Sequence, residues 1–337
     1  MTKYILSNKE MEKADLLTIE SGISSLDLMF NAGKKVFNNL PVQRGKRALF
    51  ICGPGNNGGD GYVAADLLFK QGMEIDIYCP ISKAKESNDN LHYKQKLNKS
   101  LFVSKIRSLS NYCYVVDALF GTGLSRTMSN DLSSLVSKIN QSKLDVFSVD
   151  IPSGINGDTS AVLGEAFKAS KTITFFNKKK CHYLYPGKKY CGEIIVEDIG
   201  IKKNVFDKIM PNIKKNDPSL WIKNFPFPVS SDHKYSRGML VINTGPQFQT
   251  GAARLAGRSA MRVGAGAVTM VCDEETAKIL EPQISVELLS VIKEKNDFQK
   301  LLKDKRVSSV LVGPGNGVND ETKARVLMAL AFVDHCV

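Results

Sequence analysis

Three short segments gather the residue types that could do chemistry: "GPGNNGGDG" (53–61), "DALFGTGLSRT" (117–127) and "DIPSG" (150–154). Each joins glycine to a carboxylate or carboxamide. In the first, Gly53, Gly55 and Gly58 fit G-x-G-x-x-G, a spacing that lets the backbone turn tightly and approach a phosphate at a helix start. The alternative is a plain strand-to-helix turn. An ordinary dinucleotide fold also needs an acid at the end of its second strand to hold the ribose. Here that strand ends Cys79-Pro80, which counts against a simple dehydrogenase. Asn56, Asn57 and Asp60 add oxygen acceptors beside the glycines, and Asp117 and Ser153 add more from the other two segments. Hard monovalent or divalent cations prefer such oxygens; equally, Asn57 and Asp117 could cap turns. Asp150 closes the apolar run "VFSVD". Partial desolvation there would raise its pKa and suit proton transfer; the alternative is a carboxylate bonded to a neighbouring loop.

The elements that must position these residues alternate regularly. Ser7 with Glu10 reads as a capping box opening a helix, and Ser24 with Asp27 as the cap of a second. "RALFIC" (47–52), "EIDIYC" (74–79), "YCYVVDALFGTG" (112–123) and "DVFSVDIPSG" (145–154) read as buried strands, the last two running into their glycine loops. "YVAADLLFKQG", "LHYKQKLN" and "NDLSSLVSKINQS" read as intervening helices, with "KTITFF" and "EIIVEDIGI" closing the series. Such alternation implies a mostly parallel sheet with helices on both faces, whose strand ends bring the three segments together. From Lys202 to Val229 the pattern lapses into a proline- and charge-rich stretch that reads as a linker. Strand–helix texture then restarts with "RGMLVINTG", "TGAARLAGRSAMRVGAG", "AVTMVC", "VSSVLVGPGNG" and a helix beginning "ETKARVLMALAFVDHC". Two α/β domains are expected, 1–215 and 216–337.

Composition fits this. The chain has 337 residues, 43% hydrophobic and 24% charged, with a formal charge of +12. The excess lysines fall in short clusters (178–180, 188–189, 202–203, 214–215) with no aromatic-basic recognition motif, so they read as solvated surface and no specific nucleic acid is expected. Seven cysteines, none spaced C-x-x-C, imply neither a disulfide frame nor a zinc site and fit a reducing, cytoplasmic compartment. Cys52, Cys79, Cys113 and Cys272 read as small core residues. The N-terminus lacks a signal-peptide core, and no apolar run approaches the ~20 residues of a membrane span.

"GPGNNGGDGYVAADLL", "VDALFGTGLSR" and "VDIPSGINGDTS", with the flanking "MEKADLLTIESGISSLDLMFNAG" and "KTITFFNKKKCHYLYPGKKYCGEIIVEDIGI", resemble the signature segments of the NAD(P)H-hydrate epimerases over residues 1–201. "SDHKYSRGMLVINTG", "TGAARLAGRSAMRVGAGAVTMV" and "VLVGPGNG" are similar to the ADP- or ATP-dependent NAD(P)H-hydrate dehydratases. The two activities are often fused in this order. The resemblance implies a Rossmann-like three-layer α/β/α sandwich followed by an incomplete ribokinase-like α/β domain.

The implied substrate is NADH or NADPH hydrated at carbon 6 of the nicotinamide ring, and the implied reaction the interconversion of its R and S forms. The substrate-binding residues carried over are Asn56, Asn57, Gly58, Gly59, Asp60, Gly121, Thr122, Gly123, Leu124, Ser125, Arg126, Thr127 and Asp150, with Gly315 in the second half. Asn57, Asp117 and Ser153 would hold potassium. Asp150 would be the acid–base residue, and Arg126 stands where a basic partner is usual, able to stabilise charge but hardly to act as a base. In the second half, Gly313–Gly315 and the Lys234/Gly238 neighbourhood would form part of a substrate floor. No G-T-G-D segment follows the start of that half, so ADP- or ATP-dependent dehydration is expected to be lacking. The resemblance allows a homodimer. The competing reading is a non-catalytic, RNA-associated scaffold of the decapping-enhancer type on the same fold; retention of Asp150, Asn57, Asp117 and Ser153 favours the enzyme.

Overall fold

The computed structural model describes residues 4–81 and 84–335, which group into two compact units dividing between Leu220 and Trp221. In the first unit the order is α1 (Asn8–Glu20), α2 (Ser25–Asn38), β1 (Arg47–Cys52), α3 (Asn56–Lys70), β2 (Glu74–Tyr78), α4 (Asn88–Lys96), β3 (Tyr114–Ala118), α5 (Asn130–Gln141), β4 (Asp145–Val149), β5 (Lys171–Phe175), β6 (Glu193–Glu197) and α6 (Val205–Ile209). The predicted caps are present: Ser7 and Glu10 exchange hydrogen bonds at the start of α1, and Ser24 accepts from Asp27 N–H at the start of α2.

The strands form one sheet in the order β2-β1-β3-β4-β5-β6, and every pairing is parallel. Alternate side chains enter separate cores, as the two-residue strand period requires. Ala48, Phe50 and Cys52 of β1 and Tyr114, Val116 and Ala118 of β3 pack with α1, α2, α3 and α6. Leu49, Ile51 and Val115 pack with Val136 and Ile139 of α5 on the other face. The result is the expected three-layer α/β/α sandwich, with the carboxyl ends of β1, β3 and β4 side by side.

Two expectations need correction. The stretch 56–61 is not a loop: it is the first turn and a half of α3, and Asn57, Gly58, Gly59, Asp60 and Gly61 are all buried. Its glycines, and Gly53, are absent from the positive-φ positions of the chain. They serve by lacking a Cβ. One at Gly53 would lie 1.8 Å from the Leu119 carbonyl oxygen, one at Gly58 2.0 Å from that of Gly53, and one at Gly61 2.6 Å from Ala118 Cβ. Glycine is therefore what lets α3 start directly on top of β1 and β3. Residues 202–229 are also not linker throughout. Val205, Phe206 and Ile209 of α6 are buried, and Phe206 stacks between Tyr4 and Phe176.

The second unit comprises β7 (Met239–Asn243), α7 (Gly251–Val263), β8 (Ala267–Cys272), α8 (Glu274–Leu280), β9 (Leu288–Val291), α9 (Lys295–Leu302), β10 (Val307–Leu311) and α10 (Asp320–Phe332). Its sheet, β10-β7-β8-β9, is again parallel, with α9 and α10 on one face and α7 on the other. The final helix, expected to run through Cys336, ends at Phe332, and Cys336 lies outside the described residues. Cys52 and Cys272 are buried as predicted, whereas Cys79 and Cys113 are only half-buried. Among the described residues, no helix is long and apolar enough to cross a membrane.

Gly55, the residue capping α3, has nothing within 4 Å of where its Cβ would be. Gly58→Ala should therefore destabilise the first unit by about 1–3 kcal/mol or more through overpacking, while Gly55→Ala, at an unhindered N-cap, should cost less, about 1 kcal/mol or below. Urea unfolding of the two variants checks this; equal midpoints would contradict the packing role.

Candidate active site

Where β1, β3 and β4 end, a cavity of about 670 Å³ opens between the sheet, α1, α2 and the start of α3. Its rim on one side is Asn56 and Asn57. The N–H groups of Gly58 and Gly59 close onto the Gly55 carbonyl, so those of Asn56 and Asn57 remain as donors at the positive end of the helix. The turn before α3 is clamped from α4. Buried Asn90 donates to the carbonyls of Gly53 and Gly55 at 3.1 and 2.8 Å, and Ser87 Oγ donates to Asn56 Oδ1 at 2.7 Å.

Asp150 sits in the cavity, immediately after β4. Its backbone is in the left-handed region, φ +64°, a conformation that aspartate tolerates better than most residues. Three bonds hold it there: its N–H donates to Ile173 O (2.7 Å), Ile151 N–H closes on Val149 O (2.8 Å), and its own carbonyl meets His182 Nε2 at 3.1 Å. Its carboxylate is not alone. Oδ1 accepts from Lys179 Nζ at 2.5 Å and from Thr174 Oγ1 at 2.8 Å. Lys179 is only 1% exposed, and its ammonium also donates to Thr174 Oγ1 and to the Phe175 carbonyl.

His182 completes the arrangement. Its Nδ1 accepts from Lys179 N–H at 3.0 Å, so the remaining ring proton is on Nε2 and points at Asp150 O. Burial, reinforced by Lys179, pushes the imidazole down to about 3, which keeps it neutral. Asp150, Lys179 and His182 thus form a closed ring of contacts. Burial by itself would raise the Asp150 carboxyl; the Lys179 charge and its hydrogen bonds outweigh burial and hold it below the usual carboxylate range. The expected upward shift at Asp150 is corrected accordingly, because the strand end that desolvates the acid also delivers its counter-ion.

Two further carboxyls face the same cavity from other elements. Burial, partly offset by Lys179 and reinforced by Asp150, pushes Asp15 of α1 up to about 7. Burial, with Asp150 and Asp15 nearby, raises Asp60 of α3 well above the ordinary value.

Behind the cavity floor, Asp117 at the end of β3 is wholly buried. It accepts from Ser153 Oγ (2.6 Å), Ser153 N–H (2.8 Å), Ser148 Oγ (2.8 Å) and Leu119 N–H (3.3 Å). Burial still pushes it up to about 6 against those bonds, since no cationic side chain is among its partners. Ser153 Oγ also meets the N–H and carbonyl of Phe120, and buried Asn57 Nδ2 has no partner. Among the described residues, no group of three or more His, Cys, Asp or Glu side chains is placed for a metal ion. The Asp117–Ser153–Phe120 set, with Asn57 Oδ1 facing Gly121, offers instead one carboxylate and neutral hard oxygens. That donor set fits a monovalent cation.

The structure brings together most of the predicted residues. Asn56, Asn57, Asp60, Gly121, Thr122, Gly123, Leu124 and Asp150 all line the cavity. A Cβ on Gly121 would lie 3.2 Å from Asn57 Oδ1 and 3.3 Å from Asp150 Oδ2, so this glycine keeps the space between them open. Gly58 and Gly59 lie behind the helix start, against the Gly53 carbonyl and Met29. Ser125 is exposed, and Arg126 and Thr127 line a second cavity of about 790 Å³. Arg126 therefore does not partner Asp150; Lys179 does. Gly315 belongs to the second unit, at φ +78°, with its carbonyl 2.3 Å from where a Gly245 Cβ would be. Lys179, Asp15 and Asn90 were missed from sequence. Lys179 stands in a lysine cluster that reads as surface, and no local pattern marks it as buried.

Residues 25–181 match the family described as YjeF-related protein N-terminus, and residues 239–337 match NAD(P)H-hydrate dehydratase. An NAD(P)H-hydrate epimerase of Oenococcus oeni is 37% identical over 207 residues, 60% of this chain and 99% of that protein. A bifunctional NAD(P)H-hydrate repair enzyme Nnr of Coxiella burnetii is 31% identical over 333 residues, 95% of this chain and 66% of that protein. The chain spans just under two thirds of that relative's length. The crystal structure of the yeast protein ynu0 superposes with a TM-score of 0.51 at 20% identity, covering 67% of this chain and 96% of that one, a likeness of fold.

Lys179→Met leaves Asp150 buried without its counter-ion and should cost about 3–5 kcal/mol at neutral pH. Asp150 in the variant would have a folded pKa above its unfolded value, so its penalty is full at high pH and disappears as pH falls through that raised value. In the wild type the depressed pKa gives stability that is present above the unfolded value and lost only in strong acid. The gap in unfolding free energy between the two proteins should therefore narrow from pH 8 to pH 5, as urea titrations would record. A gap of unchanged size would contradict the pairing.

Proposed function

The chain belongs to the NAD(P)H-hydrate epimerase family, with a dehydratase-type domain following, and on that premise we propose that its first unit interconverts the R and S forms of NADH or NADPH hydrated at carbon 6 of the nicotinamide ring. The observation that carries this reading is the Asp150 carboxylate, held ionised by Lys179 in a cavity whose rim is the open N-terminus of α3.

The hydrated ring carries its hydroxyl on the carbon beside the ring nitrogen. Loss of that hydroxyl as water leaves a positive charge shared between C6 and N1, and water returning to the opposite face gives the other epimer. Asp150 faces the cavity with a fixed negative charge that stabilises the cation and takes a proton from the returning water. Such proton transfer contributes about 10²–10⁴-fold. Lys179 and His182 hold the carboxylate in place. The free N–H groups of Asn56 and Asn57 suit a dinucleotide phosphate. Asp117, Ser153 and Asn57 would hold a potassium ion, which when bound supplies the counter-charge that Asp117 lacks.

The second unit has the strand–helix texture of the dehydratase family it matches. We propose that residues 221–337 by themselves do not carry ADP- or ATP-dependent dehydration, because no G-T-G-D segment is among them. ADP-dependent loss of the S-hydrate by this chain would overturn that.

For the epimerase, the isolated R-hydrate of NADPH in potassium buffer, followed by chromatography, gives the test. The wild-type rate should exceed the spontaneous one, and Asp150→Asn should lose about 10²-fold or more. Gly121→Ala should also slow the reaction by pressing between Asn57 and Asp150. A wild-type rate equal to the blank would end the epimerase reading.

A further inference from the structure

We infer that Asp15, on the amino-terminal helix, is the second acid–base residue of this site, delivering to the departing hydroxyl the proton that Asp150 cannot supply. This deepens the epimerase reading and rests on it. The argument begins with a deficit. Departure of a hydroxyl as water requires a proton donor, yet the Asp150 carboxylate is an acceptor on both counts, taking hydrogen bonds from Lys179 and Thr174. His182 has both ring nitrogens committed to backbone groups. A donor must come from elsewhere in the cavity.

The helix α1 supplies one. Asn8, Met11, Glu12, Asp15 and Ile19 recur at three- and four-residue spacing and present one face of the helix to the cavity. Asn8 fixes that end by donating to the Thr122 carbonyl at 2.8 Å. Asp15 is half-buried in α1, and among the described residues its carboxyl has neither a side-chain hydrogen bond nor an ion pair. The charged groups that line the cavity around it are Lys9 and Glu12 of its own helix, Asp60 of α3, Asp89 of α4, Asp150 after β4, and Lys179 after β5. Among the described residues the one buried ammonium, that of Lys179, is already paired with Asp150. Asp15 is thereby left as a carboxyl that keeps its proton to about pH 7. Asp60 shares the acid-rich surroundings but is more deeply enclosed in the first turns of α3. Two carboxyls in one cavity, driven to opposite protonation states by their surroundings, are the arrangement expected of an acid–base pair.

The step balances. The proton passes from Asp15 to the C6 hydroxyl; the C6–O bond breaks with its electron pair leaving on the water; the N1 lone pair becomes the N1=C6 double bond. Water then adds to the other face of C6, the double-bond pair returns to N1, and Asp150 takes the proton. Exchange with solvent returns that proton to Asp15.

The test compares the full chain with Asp15→Asn and Asp15→Glu, using the R-hydrate of NADPH across about pH 5.5 to 9. The wild-type kcat should fall as pH rises through about 7, because the donor loses its proton. Asp15→Asn should lower kcat on the order of 10²-fold with KM little changed, and abolish that inflexion. Asp15→Glu should restore much of the rate and keep an inflexion. Asp15→Asn should melt no lower than wild type at pH 8, since it removes a carboxylate that burial disfavours. An Asp15→Asn enzyme with wild-type kcat and the same inflexion overturns the assignment alone, and so does a loss that Asp15→Glu fails to restore while the inflexion persists. A wild-type protein no faster than the blank overturns both this assignment and the epimerase reading.

Discussion

A carboxylate withdrawn from water costs several kcal/mol unless a positive charge and hydrogen-bond donors meet it in the interior. Asp150 is met by both. Lys179 reaches it from the segment after β5, Thr174 from β5 itself, and His182 ties the backbone of one partner to the backbone of the other. The ring can close only because β4 and β5 are adjacent and parallel, so that their carboxyl ends emerge together. The left-handed backbone at Asp150 is sustained by the same contacts.

The second constraint is steric. The sheet order places the ends of β1, β3 and β4 in one row, but a cavity there needs a helix that starts very close to the sheet. Gly53, Gly58 and Gly61 permit that approach, and Gly121 keeps a gap between Asn57 and Asp150. The charges then sort by neighbourhood. Asp150 stays ionised beside Lys179, Asp15 and Asp60 are driven toward the protonated form, and Asp117 sits in a pocket of hard oxygens without a cationic side chain.

Much of this was legible in the sequence. The alternation of apolar strands and amphipathic helices predicted the parallel sandwich, and the strand-end position of Asp150 predicted its place in the cavity. What failed has physical reasons. Dense glycine is an ordinary sign of a loop, yet residues 56–61 are helical, and glycine is there for close packing rather than for positive φ. The sign of the Asp150 shift depended on a lysine 29 residues away, a pairing that no local pattern encodes. Lys179 lies between two lysines and its burial follows from topology, not composition. Arg126 was placed by proximity in sequence to Gly121 and Gly123, but its loop turns outward. Asp15 lay inside a helix whose cap was recognised, while the face it presents to the cavity depends on how that helix docks.

The central claim is that Asp150 works as an ionised carboxylate because Lys179 holds it so. Carbon-13 NMR of labelled aspartate carboxyls, assigned through Asp150→Asn, would measure its titration in the wild type and in Lys179→Met. The account predicts a midpoint below the ordinary aspartate value of 3.8 in the wild type and well above it in the variant. A wild-type midpoint above that value, or one unmoved by loss of Lys179, would contradict it.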